Sequence, residues 1–238
     1  DGDLILDFSR IHMSLDKGRA FGINPKLSGT KTKTVDRILN ADIYKKKEVR
    51  DNFNELTLKF KGNYRIVFRA YNEGIAYRFE SDIKGDIIVE NELSEFNFLH
   101  DAKAYIPYVR DNVATLESQF GNPFENIYKY ENISQWDTSR IAFLPLLVEG
   151  RNGKKLCILE ADLLNYPGMY LYNGDGSNTL KSVFAPYPKE VEQGGYLNLQ
   201  GLVKSREPYI AKVSGVTSFP WRIMVVSEND KELADNDM

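Results

Sequence analysis

Two acidic residues end an apolar segment, and their spacing is the clearest indication of chemistry in this sequence. Residues 156–159 run directly into Glu160 and Asp162. If the segment is a β-strand, side chains two positions apart share a face, so these carboxylates are about 6.6–7 Å apart along it. An isolated buried charge is too costly, so both must be exposed, protonated, paired or bound to a metal. Two interpretations stay open: a strand that ends in solvent, or one that ends at substrate or a hard cation such as Ca²⁺.

The groups that enzymes use for nucleophilic catalysis are scarce. The chain has two histidines, His12 and His100, and neither has a partner signature nearby. The one cysteine, Cys157, lies in an apolar run without basic neighbours, which favours a buried structural thiol. The glycine-containing segments at 174–176 and 194–195 lack the strand–loop–helix context of a phosphate loop. A glycosidase pair cannot be selected by spacing from 34 acidic residues, so the residues alone assign no catalytic group.

Alternation of apolar and polar residues predicts β-strands over most of the chain. Residues 64–71 and 75–81 alternate and are joined by a short glycine-containing link, which predicts a hairpin that 56–61 precedes as a further strand. Residues 141–150 and 154–163 flank Arg151-Asn152-Gly153 and predict a second hairpin, which would carry Glu160. Pro107 and Pro145 indicate edge strands or bulges, since proline cannot donate to a ladder. Further strands are predicted at 86–90, 95–99, 104–109, 168–173, 209–213 and 221–228.

Signals for helices are few. Residues 35–52 have a poor apolar stripe and are predicted to be mostly loop. Near the end, Ser227 or Asn229 is expected to cap a short helix. The prediction is an all-β fold, in which a large antiparallel two-sheet sandwich with few short helices forms a single domain over residues 1–238.

Composition and charge exclude some classes of protein. The chain of 238 residues is 42% hydrophobic, enough for a sizeable core. Its net charge of −3 gives no reason to expect nucleic acid or an anionic membrane as partner, and the basic clusters at 31–37 and 44–50 fit a solvated face. No apolar stretch approaches the ~20 residues of a membrane span. The 14 tyrosines, several of them clustered in the middle third, suit sugar faces, interfaces and sheet cores alike.

Four segments resemble the N-terminal domain of glycoside hydrolase family 97. They are VRDNFNELTLKF (49–60), YRIVFRAYNEGIAYRFE (64–80), LEADLLNYPGMYL (159–171) and VSGVTSFPWRIMVVSENDKEL (213–233), in the family's order. The resemblance covers most of residues 15–234. It implies a β-super-sandwich of the galactose-mutarotase type, followed in the family by a catalytic (β/α)₈ barrel and a small β-sandwich. Members are bacterial α-glucosidases and α-galactosidases, often periplasmic, so a periplasmic or secreted bacterial location is expected.

The resemblance also implies a calcium ion in the family's active site. The catalytic residues lie in the barrel, and the N-terminal domain supplies one carboxylate to the ion. By position in the motif, that ligand maps to Glu160, with Asp162 as second choice. The nearby turn with Tyr166 and Gly168 is expected to take part in substrate binding or in the domain interface.

The last predicted strand carries two further candidates for the same role. Trp221 is expected either to contact the barrel or to lie in the core. Arg222 is expected either to pair across the domain interface or to form a surface salt bridge.

The resemblance implies that this chain is one part of a longer enzyme, and the part alone is expected to be inactive. Its expected partners are its own barrel domain and an oligosaccharide, and without the barrel's ligands strong calcium binding is not expected. A non-catalytic carbohydrate-binding module that uses the tyrosine-rich middle third is the main alternative. An enzyme of the aldose-epimerase type is disfavoured, because it needs a histidine and an acid in one cleft and only His12 and His100 exist.

Overall fold

The computed structural model describes residues 4–109, 115–121 and 124–238, and these form mainly β-structure. The described residues contain sixteen strands and two short α-helices, α1 (Leu116–Gln119) and α2 (Asp230–Asp235). The strands are β1 (Ile11–Leu15), β2 (Ala20–Phe21), β3 (Leu27–Asn40), β4 (Glu48–Phe60), β5 (Tyr64–Tyr71), β6 (Gly74–Asn97), β7 (Lys103–Ile106), β8 (Lys129–Asn132), β9 (Leu146–Glu149), β10 (Lys155–Ala161), β11 (Met169–Tyr172), β12 (Thr179–Phe184), β13 (Pro188–Gly194), β14 (Gln200–Arg206), β15 (Ala211–Ser218) and β16 (Trp221–Ser227).

Fourteen strands are joined by antiparallel pairing, and β6 connects them. The longest path runs β3-β4-β5-β6-β16-β10-β9-β7-β8. The first part of the 24-residue β6 pairs with β5 and β16, whereas its last part pairs with β1 and β12. β13 and β14 form a separate two-stranded sheet. This arrangement confirms the predicted all-β sandwich with few short helices.

The two ends of β6 face each other across the interior. Tyr77, near its start, donates a 2.8 Å hydrogen bond from its hydroxyl to Ser94 Oγ, near its end. Apolar side chains from both layers fill the space between and form one large core. Its fully buried members include Met13, Ile87, Ala104, Ile106, Leu146, Ile158, Leu171 and Leu180. Burial of this apolar surface is the main favourable contribution to folding.

Both predicted hairpins are confirmed. β5 and β6 pair antiparallel from Tyr71↔Gly74 outward, with β4 on the other side of β5. β9 and β10 pair around the turn at 151–153, although β9 is shorter than predicted and begins after Pro145. α2 is capped by Asn229, whose side chain accepts a hydrogen bond from the Glu232 backbone, as one of the two predicted caps.

The prediction of a loop over residues 35–52 is wrong. β3 and β4 pair along their whole length, and only 41–47 connect them. Within 35–52 most side chains are exposed or half-buried, so this part of the strand pair needs no apolar face, and the period-2 signal is missing there. Ion pairs across the two strands, between Arg37 and Asp51 and between Arg50 and Asp36, join side chains of the predicted loop. In the described part of the chain, no helix has the length and apolarity to cross a membrane.

Candidate functional site

Glu160 is positioned by the pairing of β10 with β16. In that ladder Glu160 lies opposite Arg222, and Arg222 in turn lies opposite Tyr77 of β6. Directly opposed residues in a sheet point to the same face. All three side chains therefore point into the sandwich, and Glu160 is only one residue from the end of its strand.

Arg222 joins two glutamates inside the protein. Its Nε and Nη2 donate to Glu92 Oε1 and Oε2 at 2.8 and 2.9 Å, which is a bidentate pair, and its Nη1 donates to Glu160 Oε2 at 2.6 Å. The side chains of Arg222 and Glu92 are 1% and 2% exposed, and that of Glu160 is 11% exposed. The Met169 backbone N–H also donates to both Glu160 oxygens, at 2.9 and 3.0 Å. Glu160 is therefore held in one orientation from two sides.

This group of three residues, the Glu92–Arg222–Glu160 triad, carries one net negative charge when every member is ionised. Burial alone would lower the pKa of Arg222, but Glu92 and Glu160 outweigh that effect and raise it. Burial raises the pKa of Glu160 above its usual value, and the Arg222 charge opposes the rise. Arg222 already neutralises Glu92, so the excess negative charge falls on the more exposed Glu160. A cation placed there would relieve it.

Glu160 lies in the wall of a cavity of about 550 Å³. The rest of the wall is mainly apolar and aromatic, with Arg206 as its one basic member among the described residues. Its other members include Phe143, Leu163, Tyr166, Gly168, Tyr170, Tyr187 and Pro188. A concave, mostly apolar pocket with a few oriented polar groups is typical of ligand sites.

Gly168 and Tyr166 shape the cavity beside Glu160. A Cβ added to Gly168 would lie 3.3 Å from Glu160 Oε1, so glycine leaves this side of the carboxylate open. The Tyr166 ring packs edge-on against Phe184 and Phe219, with centroid distances of 6.0 and 5.6 Å. Its hydroxyl is buried, and burial together with the nearby Glu92 carboxylate raises the pKa of that hydroxyl well above the usual value.

Asp162 does not share the face of Glu160, and the prediction from strand alternation is wrong at this point. β10 ends at Ala161, and Asp162 adopts a left-handed backbone with φ +67°. Alternation of faces holds only while the backbone stays extended. The Asp162 carboxylate lies 3.5 Å from Arg78 Nη1. Arg78 follows the inward-facing Tyr77 in β6, so this contact is on the opposite face of the sheet.

Trp221 lies on that outer face, half-buried. The guanidinium carbons of Arg69 and Arg78 are 4.5 and 4.4 Å from its ring centroid. Such cation–π contacts stabilise an aromatic ring at a surface. Trp221 also packs against a small outer apolar cluster that includes Ile223 and Val225, so it is neither in the main core nor free on the surface.

Both sequence-based interpretations of Arg222 require an accessible guanidinium: one was a pair across the domain interface, the other a surface salt bridge. The structure contradicts them, because the Arg222 side chain is buried. Sequence reasoning also missed Glu92. Its partner Arg222 is 130 positions away, and no local pattern connects them. The one signal in the sequence is an acidic residue near a predicted β-strand, and Glu90 gives the same signal as Glu92.

The described residues contain no group of three or more His, Cys, Asp or Glu side chains placed to hold a metal ion. Glu160 nevertheless suits a hard cation as a single ligand: it is a carboxylate, one side of it is left open by Gly168, and excess negative charge falls on it. Cys157 is no candidate, since burial raises its thiol pKa to about 11. His100 lines a different cavity, together with Phe98 and Leu156, and not the cavity that Glu160 lines.

Solved structures share the β-sandwich fold of this chain. A glycoside hydrolase family 97 enzyme from Pseudoalteromonas sp. strain K8, solved with acarbose, superposes with a TM-score of 0.72 over 98% of this chain and 33% of its own, at 19% identity. A β-arabinopyranosidase superposes equally well, with a TM-score of 0.72, 18% identity, 94% of this chain and 35% of its own. At these identities the likeness shows the fold alone.

Sequence comparison gives the family. The family model described as glycosyl-hydrolase 97 N-terminal matches residues 1–238. A retaining alpha-galactosidase from Bacteroides thetaiotaomicron (strain ATCC 29148) is 47% identical over 235 residues, which are 98% of this chain and 36% of that protein. The chain belongs to the family of N-terminal domains of glycoside hydrolase family 97. It spans about a third of the length of the relatives that it matches.

Proposed function

We propose that this chain is the N-terminal domain of a calcium-dependent, exo-acting α-glycosidase. In this proposal the domain packs on a catalytic (β/α)₈ barrel of the same polypeptide and contributes Glu160 to the active-site calcium. The observation that carries it is the Glu160 carboxylate, fixed by Arg222 and Met169 in a cavity wall, with excess negative charge and an open side. The remaining ligands would come from the barrel.

The substrate class follows from the similarity to the Bacteroides protein. At 47% identity over nearly the whole chain, an α-galactosidase acting on galactose-containing oligosaccharides is the proposed activity of the whole enzyme. Bound calcium would polarise or orient the substrate and a water molecule. This chain's own residues orient one carboxylate and, through Tyr166 and Gly168, form the adjacent wall. A periplasmic or secreted location is part of the same proposal.

Replacing Glu160 by Gln in the whole enzyme tests the proposal. The amide keeps the shape but loses the charge, so calcium affinity by calorimetry should fall at least about tenfold, and hydrolysis of a nitrophenyl α-galactoside should fall with it. Glu131→Gln is the matched control, because Glu131 is also 11% exposed and hydrogen-bonded, to Tyr108. If Glu160→Gln binds calcium as well as the control does, the assigned role is wrong.

A carbohydrate-binding module is the second candidate, favoured by the tyrosines around the cavity. Tyr187 is 46% exposed at its edge and stacks on Tyr209, with ring centroids 5.7 Å apart. Exposed aromatic faces suit sugar rings. Calorimetry with galactosides and maltooligosaccharides, on wild type and Tyr187→Ala, separates the two. Saturable binding in a Glu160→Gln protein that is lost in Tyr187→Ala would favour the module.

A further inference from the structure

β13 and β14, with the turn at 195–199, form a projection that we name the hairpin arm. Its two strands pair with each other and with no other described strand. Most of its residues are exposed on both faces. An isolated two-stranded hairpin is marginally stable in water, and packing against another element is usually needed to keep it ordered.

The end of the hairpin arm presents large apolar side chains to solvent. Tyr196, Leu197 and Leu199 are 77%, 71% and 77% exposed. Adjacent apolar residues exposed to this extent usually mark an interaction surface. Sheet stability does not explain them, since they lie outside the two paired strands.

The backbone of the turn supports the same interpretation. Leu197 has φ +51° and Asn198 has φ +56°, next to Gly195 at φ +69°. A left-handed backbone is common for asparagine and glycine but costs a leucine of order 1 kcal/mol or more. A glycine or asparagine at position 197 would form this turn with less strain. The leucine therefore fits a role for its side chain outside the turn.

The hairpin arm begins at the edge of the Glu160 cavity. Tyr187, Pro188 and Arg206 at its base all line that cavity. Arg206 fixes the base, because it donates to Glu117 and to the Pro186 carbonyl. A protein part that meets Glu160 from outside would therefore lie next to the arm.

We infer that Tyr196, Leu197 and Leu199 of the hairpin arm pack against the catalytic domain of the same polypeptide. The inference rests on the proposed function for the existence of that domain. Relatives of this chain are about three times as long, which leaves room for such a partner, and the arm continues the surface that carries Glu160. An apolar contact at the tip of the arm would fix the approach of the two domains, while the base of the arm borders the Glu160 cavity.

Site-specific photo-crosslinking in the whole enzyme tests the inference. p-Benzoylphenylalanine replaces Leu197, and mass spectrometry identifies the joined peptides after illumination. Val216 on β15 is the matched control position, since it is 65% exposed and lies in the large sheet, with which the strands of the arm do not pair. We expect crosslinks within one polypeptide to residues beyond this domain, with a yield at least about fivefold that at position 216.

Three results would overturn it: crosslinks between two chains, crosslinks confined to residues 1–238, or a yield equal to that at position 216. The first would identify a second copy as the partner. The calcium measurement on Glu160→Gln separates this inference from the proposed function. If Glu160→Gln binds calcium normally and the expected crosslinks form, the role of Glu160 is wrong and the arm contact stands. If Glu160→Gln loses calcium and the expected crosslinks do not form, the role of Glu160 stands and the arm contact is wrong.

Discussion

At the residue scale, Arg222 is the side chain on which the site depends. It is buried, it neutralises Glu92 through two hydrogen bonds, and it orients Glu160 through a third. A buried ion pair adds little compared with apolar packing, but removing one partner leaves an uncompensated charge inside the protein. The geometry of Glu160 and the stability of the sandwich are therefore linked through one guanidinium.

Arg222→Met should destabilise the protein by about 3–5 kcal/mol, because it leaves two buried carboxylates without their cation. Urea unfolding measures the loss. The double variant Arg222→Met with Glu92→Gln removes one of the orphaned charges and should recover at least about 1 kcal/mol. A single variant as stable as wild type, or a double variant no better than the single, would contradict this account of the triad.

At the element scale, the outer face of the β5–β6–β16 sheet is stabilised by charge and stacking. Arg65 and Arg78 both donate to Glu80, at 2.6 Å each, and Arg78 also stacks on Trp221. Opposed charges in cross-strand positions stabilise a sheet pair. Beside the small apolar cluster that includes Ile223 and Val225, these contacts explain why Arg78 is tolerated within a strand.

The stability of this sheet should depend on pH through Glu80. Burial alone would raise the pKa of Glu80, but hydrogen bonds and charges of Arg65 and Arg78 outweigh it and lower the pKa. A lowered pKa in the folded state stabilises the protein above the unfolded value, about 4.3, and the effect disappears as pH falls through the folded value.

Glu80→Gln should therefore cost about 1–2 kcal/mol at pH 7, and the difference from wild type should shrink as pH falls below about 4. Urea unfolding across that range measures it. Asp36→Asn is the control: it removes the solvent-exposed pair with Arg50, so its effect should be smaller at every pH. A constant difference between Glu80→Gln and wild type would refute the linkage.

At the scale of the whole molecule, β6 makes the sandwich one unit with the site at its edge. One continuous strand contributes Tyr77 and Arg78 at one end and Glu92 and Ser94 at the other. The triad therefore joins both layers as well as β10 and β16. A ligand bound by Glu160 would therefore stabilise both layers of the sandwich, and not only the loop beside Glu160.

Calcium should stabilise the whole enzyme by mass action, because a ligand that binds only the folded state adds about 2.7 kcal/mol at 100 times its Kd. Chelation should accordingly lower the unfolding temperature, and calcium should restore it. Differential scanning calorimetry with and without chelator measures the shift. Glu160→Gln should lose most of it, while Glu131→Gln should keep it. An equal shift in both variants would place the ion elsewhere.

The amino-acid sequence by itself determined the β-class, the two hairpins and the segment that carries Glu160. These features depend on apolar–polar alternation and on turn residues a few positions apart, and such local patterns are enough to specify strands and hairpins. It failed at 35–52, where a solvated strand pair needs no apolar face, and at Asp162, where one left-handed residue ends the alternation. Only the tertiary structure decided that Arg222 is buried and that Glu92 holds it. Those two residues are 130 positions apart, and only the folded sheets bring them within hydrogen-bond distance.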